Sequence, residues 1–370
     1  MTSIVSGLSR AQIATLSSSI VSRLIRTDVA EMSTTQVSAL RCQQLRSWPA
    51  SDIGALTAPQ IAAISYTSFL ALTEAQTAAL STTQIHALNS SQISSLSDAD
   101  LNQMTTTQIQ SLSLDQVHAL STTQLGSLTA TTLSRFSTSQ IGALLQTQEQ
   151  ALTSTQLNGL SSADVGALNV SNLTETQIGG LSTAVTNLTT TQLRALDTTQ
   201  IGALSTDALS RLSTAQIQAL SSDQLHALST TRVGALSAIT LNKLSTTQIG
   251  QFSEDQAHAM TSTQLNGMSS ADFGALSLNA LTTTQIGGLT TAIANVTASQ
   301  IRDLSATQVG TLGITSLGSL SASALGALSP DELDALSTQV RSLNETQIRS
   351  LTSSQASALL AVQANNLSVA

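Results

Sequence analysis

The sequence predicts an all-α fold, a solenoid of very short capped helices built from eight-residue repeats. Three observations predict it. A large apolar residue stands on every multiple of eight from Leu8 to Leu168, with Trp48, Ile64, Met104 and Phe136 among the leucines. Between these anchors the chain repeats Ser/Thr-x-x-Gln-Ile/Val/Leu-x-Ala/Ser/Gly, as in Leu80-Ser81-Thr82-Thr83-Gln84-Ile85-His86-Ala87. The few charges sort by their place within the octad.

Each octad begins with the signals of a helix start. Ser81 takes the N-cap position, where its hydroxyl can accept from a free backbone N–H. Gln84, three residues on, can reach back to the cap amide and complete a capping box. Leu80 before the cap and Ile85 at the fourth helical position form a hydrophobic staple. The same pairing recurs at Ser121 and Gln124 and at Ser245 and Gln248, so these six residues are the expected structural caps. Acidic residues gather in the first turn, as at Glu74, Asp98, Asp115, Glu175 and Asp223, and basic ones late, as at Arg135, Arg194, Arg211, Lys243 and Arg302. This complements a helix dipole. Pro330, directly after Ser329, fits the first helical position. Arg10, Arg232 and Asp334 run against the sorting.

A single continuous helix is excluded, because eight residues at 100° each turn the Leu row by about 80° per unit and no apolar stripe persists. A β-solenoid is the alternative, since Thr and Ile favour strands. It does not account for the Gln position, the charge sorting or the small residue near each unit's end. A helix of about six residues is not stable alone in water. Stability therefore has to come from stacking octads into a shared Leu/Ile/Ala core. Small residues before the anchors, such as Ala87, Ala119 and Gly180, let backbones approach.

The octad breaks twice in the same way. Anchors step by five from Leu168 to Leu173, then by eight to Leu181 and by seven to Leu188; the same steps run from Leu276 through Leu281 and Leu289 to Val296. The two breaks lie 108 residues apart, and Gly159-Leu160-Ser161-Ser162-Ala163-Asp164 recurs as Gly267-Met268-Ser269-Ser270-Ala271-Asp272. One continuous solenoid is expected: irregular octads over 1–79 as a cap or docking surface, 108-residue blocks over 80–187 and 188–295, and a partial third block with a C-terminal cap over 296–370.

Composition bounds the function. Of 370 residues, 41% are hydrophobic and only 9% charged, which argues against plain disorder. Thirteen Lys and Arg against a net charge of -8 leave no basic stripe, so no nucleic-acid partner is expected. Cys42 is the single cysteine, and a disulfide framework within the chain is excluded. No apolar run approaches the ~20 residues of a membrane span, so no membrane insertion is expected. The start, Met1-Thr2-Ser3-Ile4-Val5, lacks the form of a cleaved signal peptide. The expected location is extracellular or at the cell surface by a route without such a peptide, with the cytoplasm as the alternative.

Catalytic and metal chemistry find little to stand on. His86, His118, His226 and His258 share one late octad position, and each pair (86/118, 226/258) is 32 residues apart. Four octads per turn would stack each pair, but no Cys or carboxylate set completes a ligand shell, and solvated surface histidines are expected. No nucleophile elbow, Walker loop, dinucleotide fingerprint or His-Glu-x-x-His motif occurs. Asp164 and Asp272 are repeat mates, and the sequons at Asn172 and Asn344 follow from the abundance of Ser and Thr. The expectation is a protein that is not an enzyme and has no cofactor and no metal.

The unit, as in Leu80-Ser81-Thr82-Thr83-Gln84-Ile85, resembles the Leu-Thr-Thr-x-Gln-Val/Ile-x-Ala tracts of very large bacterial proteins described as adhesins or surface proteins. The resemblance covers nearly the whole chain and implies a structural or surface role. This chain is short beside those proteins and shows no evident anchor or second domain, which favours a subunit that self-assembles into a filament, layer or surface rod, with itself as partner. A second reading is a monomeric scaffold or adhesin module that binds a protein partner, with Arg41, Trp48 and Tyr66 as a partner or end-contact patch; the same residues would also serve as end-cap core. A third is ice or mineral binding through Thr arrays such as Thr82/Thr83 and Thr246/Thr247.

Overall fold

The computed structural model describes residues 4–359. They form thirty-nine α-helices of four to six residues and five short 3-10 helices, followed by a helical stretch from residue 353 to the end of the described region, with no strand among them. The fold is an all-α solenoid of short helices, and the β alternative falls. Most of the expected C-terminal cap, Leu359–Ala370, lies outside the described residues.

Each octad gives one helix. Ser81 Oγ accepts from Gln84 N at 3.3 Å, and Ser81 N donates to Gln84 Oε1 at 2.8 Å, with Thr82–His86 as the helix. Ser121 with Gln124 and Ser245 with Gln248 close the same reciprocal box. The staple pair Leu80 and Ile85 is buried. Helices commonly end in a left-handed glycine, yet no glycine here has positive φ. Instead the anchor itself turns extended, as at Leu128 (φ -61, ψ 139). One apolar residue thereby stops one helix, enters the core and aims the next cap.

The chain divides into two compact units, Met1–Leu188 and Thr189–Ala370. Within each, a helix packs on the helix three octads further on. Ser90–Ser95 lies against Leu114–Ala119 and Thr138–Gly142 against Ser162–Ala167 in the first; Thr230–Ala235 lies against Glu254–Ala259 in the second. Side-chain bonds to the previous layer span 28 and 31 residues, as from Gln84 to Leu56 and Ile53. One turn thus takes between three and four octads.

The short steps carry the 3-10 helices, whose tighter winding suits a spacing too short for an α turn. Val170–Asn172 fills the five-residue step of the first unit and Ala184–Asn187 its seven-residue step. Leu278–Ala280 and Ala292–Asn295 repeat this in the second. One asparagine stitches each corner. Asn158 donates to Gly180 O at 2.9 Å and accepts from Ser182 N at 2.8 Å; Asn266 donates to Gly288 O at 2.9 Å and accepts from Thr290 N at 2.8 Å. The expectation of two breaks needs correction, because a further seven-residue step from Leu336 to Leu343 holds the 3-10 helix Ser337–Ser342. Ser337 there is the one non-glycine with positive φ among the described residues, at 51°.

Candidate functional site

The chain's most repeated polar device is a ladder of glutamine amides between layers. Gln84 is only 2% exposed. Its Oε1 is used by its own cap, and its Nε2 donates to Ile53 O at 2.9 Å and Leu56 O at 2.7 Å one layer back. Gln124 does the same to Ile93 O (3.1 Å) and Leu96 O (2.7 Å), and Gln248 to Ile217 O (3.1 Å) and Leu220 O (3.0 Å). A buried amide must have its hydrogen bonds satisfied, and this arrangement satisfies donor and acceptor at once. No buried side-chain nitrogen or oxygen among the described residues lacks a partner.

The ladder follows anchors and not residue numbers. Past the five-residue step, Gln177 reaches back 28 and 25 residues, to Glu149 O and Leu152 O, and Gln285 does likewise to Ala257 O and Met260 O. The reach shortens by the three residues the step removes. In several octads that lack the Gln, another donor takes its place. Arg232 occupies the Gln position and donates through Nε to Leu204 O at 2.7 Å. This is why it stands against the charge sorting. In the octads with Thr132 and Thr240 at that position, Arg135 donates to Met104 O at 2.6 Å and Lys243 to Leu212 O at 2.7 Å. These two late cations serve the layer behind them, so the dipole account of their placement is incomplete. The sequence signal was partial: Arg135, Arg232 and Lys243 stand in octads without the glutamine, but the octads with Asp164, Asp272 and Ala324 in its place hold no such cation.

A second contact runs forward from the late octad position. His86 Nδ1 lies 3.1 Å from Ser111 O, His118 Nε2 2.7 Å from Ala143 O and His226 Nε2 2.5 Å from Gln251 O, each 25 residues on. His258 instead faces Glu254 at 3.8 Å. The histidines are exposed but engaged, and the 25-residue reach leaves no four-octad turn to stack them in pairs. At some octads glycine in this position is close to the next layer, as at Gly126, where a Cβ would stand 3.1 Å from Ala151 O, while Gly166 and Gly274 have open space.

The residues expected to form a partner patch separate. Trp48 is 3% exposed and donates from Nε1 to Val21 O at 2.8 Å, so it belongs to the core and presents nothing to a partner. Tyr66 is 51% exposed at the start of helix Tyr66–Phe69. Arg41 is exposed and lines an open groove of about 870 Å³ with Ser17, Gln43 and Thr67. Cys42, in the same groove, donates to Thr67 O at 3.3 Å.

One buried carboxylate departs from the octad rule. Glu149 stands where Ile or Leu is usual and is 1% exposed. It accepts from Asn169 N at 2.9 Å and Asn172 Nδ2 at 2.6 Å, both in the first corner. Burial raises its pKa against the lowering effect of these two bonds. An acid with a raised folded pKa contributes most below its ordinary value near 4.5, and that contribution is lost as pH rises through the folded value. Glu149→Gln is therefore expected to flatten the pH dependence of unfolding. Urea midpoints of variant and wild type should diverge in the variant's favour from pH 4 to pH 7; parallel curves would remove Glu149 as the source.

These features define an α-solenoid repeat protein. Residues 98–130 and 209–238 match the family model of the ALTTAQ repeat, and the two matches end 108 residues apart. Among curated proteins none matches the chain. No helix among the described residues is long and apolar enough to cross a membrane.

Proposed function

We propose that this is a non-enzymatic structural protein that self-associates by stacking solenoid layers, working at or beyond the cell surface. The observation that supports it is the polarity of the amide ladder. Within each unit, glutamine amides are donated to the layer behind and backbone carbonyls are offered to the layer ahead, so a second copy can extend the stack with the same chemistry. Among the capping-box glutamines of the described residues, Gln12 is the exposed one. Its Oε1 accepts from Ser9 N at 2.8 Å, while its Nε2 has no partner among the described residues. Low charge density offers little repulsion against association. The resemblance to tracts of bacterial surface proteins supports the location.

Electron microscopy of the purified protein across a concentration series tests this. Long uniform filaments or ordered sheets are expected. Separate particles at every concentration would overturn it and favour a monomeric scaffold, for which the groove beside Arg41 is the place to seek a protein partner.

A further inference from the structure

We propose that Asn158 and Asn266 are covalent modification sites gated by the fold: each stays an amide while its corner is closed and converts to aspartate or isoaspartate when the corner opens. A backbone nitrogen attacks the side chain of a preceding asparagine most readily when it belongs to glycine, because no Cβ hinders the ring that forms. The chain contains two Asn-Gly pairs, Asn158-Gly159 and Asn266-Gly267, and each asparagine is the one that stitches a corner. Two separate demands put the pairs there. The amide is needed because it donates and accepts at once: Asn158 gives Nδ2 to Gly180 O while Oδ1 accepts from Ser182 N at 2.8 Å and Ala184 N at 3.1 Å. Asn266 Oδ1 likewise accepts from Thr290 N, Thr291 N and Ala292 N at 2.8, 3.1 and 3.2 Å. The glycine is needed for close approach: a Cβ on Gly159 would stand 3.0 Å from Ala130 Cβ, and one on Gly267 2.6 Å from Ala238 Cβ.

Conformation, and not burial, protects the closed corner, since both asparagines are half-buried and both glycines exposed to water. Asn158 and Asn266 end the α-helices Ser154–Asn158 and Ser262–Asn266, and helical backbone holds the next nitrogen away from the side-chain carbon. Gly159 N donates to Thr155 O and Gln156 O at 3.1 and 3.0 Å, and Gly267 N to Thr263 O and Gln264 O at 3.0 Å each. Once the corner opens, Gly159 N loses its proton to solvent and bonds to Asn158 Cγ. The Cγ–Nδ2 bond breaks, ammonia leaves with a proton in place of the one lost, and a succinimide remains. Water then adds to one of the two imide carbonyls and breaks its bond to the nitrogen. Cleavage at Cγ gives aspartate, and cleavage at the backbone carbonyl gives isoaspartate; the sum is one water in and one ammonia out. Neither product has an amide donor for Gly180 O, and isoaspartate also lengthens the backbone by a methylene. A corner that opens long enough to react is marked for good.

Peptide mass spectrometry on the whole chain, aged in buffer and in urea, follows both sites. A site that reacts only when open reacts in proportion to its open fraction, so conversion in buffer should be roughly ten-fold slower than in urea, or slower still. Gly180→Ala opens one corner: a Cβ there would stand 2.7 Å from Ser154 Cβ, and one on Gly288 2.8 Å from Ser262 Cβ. Gly180→Ala should speed Asn158 by roughly ten-fold and leave Asn266 at its wild-type rate, and Gly288→Ala the reverse, with circular dichroism reporting intact helix. Thr183→Ala removes only the hydroxyl that donates to Asn158 O at 3.1 Å, and it should speed Asn158 alone by a smaller factor. Equal rates in buffer and urea would overturn the gate, as would folded variants that speed both sites together or neither. No conversion in urea would overturn the sites themselves.

Discussion

Replacing Gln84 with Ala is expected to cost the first unit about 2–4 kcal/mol, since orphaned buried polar groups cost ~1–3 kcal/mol each. The figure exceeds the ~1 kcal/mol of an ordinary cap, because the side chain serves two layers. Its loss leaves Ser81 N without Oε1 and the carbonyls of Ile53 and Leu56 without Nε2. Gln84→Glu separates the two roles. The carboxylate keeps an acceptor for Ser81 but turns a second acceptor toward two carbonyls, so it should be worse than Ala at pH 7. It should recover on acidification, when the protonated acid regains a donor. Denaturation midpoints of wild type, Ser81→Ala, Gln84→Ala and Gln84→Glu decide the matter. If Gln84→Ala loses no more than Ser81→Ala, the glutamine is a cap alone.

Gly234→Ala is the second large effect. A Cβ at Gly234 would stand 2.7 Å from Ala259 O, and both belong to helices packed on each other, Thr230–Ala235 and Glu254–Ala259. Neither partner is a flexible side chain, so the layers must part locally, at about 1–3 kcal/mol on the scale of overpacking. Gly274→Ala, in helix Ser270–Ala275 of the same unit, meets nothing within 4 Å. It should stabilise by about 0.4–1 kcal/mol through the unfolded chain. Thermal melts of the two variants should move in opposite directions; a neutral Gly234→Ala would mean that the layer spacing is set elsewhere.

The octad, its cap and its staple were legible because they are local: the spacing from Ser81 to Gln84 and from Leu80 to Ile85 is fixed by one helical turn. The number of octads per turn was not, since it depends on how finished layers rest on each other. The same limit hid the second role of the glutamine. Its capping bond uses only the amide oxygen, and the nitrogen's partners lie 28 and 31 residues away. Arg232 read as an exception to a charge rule while it was a substitute donor. Trp48 read equally as patch or core because an anchor position carries no label for an aromatic ring; the bond from its indole to Val21 decides for the core. Glu149 was missed altogether, although a charged residue in the Ile position of an otherwise regular octad was visible.

The short reach of the ladder bears on how the chain acquires its structure. Its side-chain bonds join residues close in sequence, 31 apart from Gln84 to Ile53 and 33 apart from Lys243 to Ser210, in a chain of 370. Closure entropy grows with the length of the loop being closed, so each new layer meets the same modest cost however much chain is already folded. Such low contact order favours rapid folding that starts at any well-formed turn and spreads outward. On a ribosome, a layer can lock as soon as the next four octads have emerged, and the growing chain never has to wait for its far end.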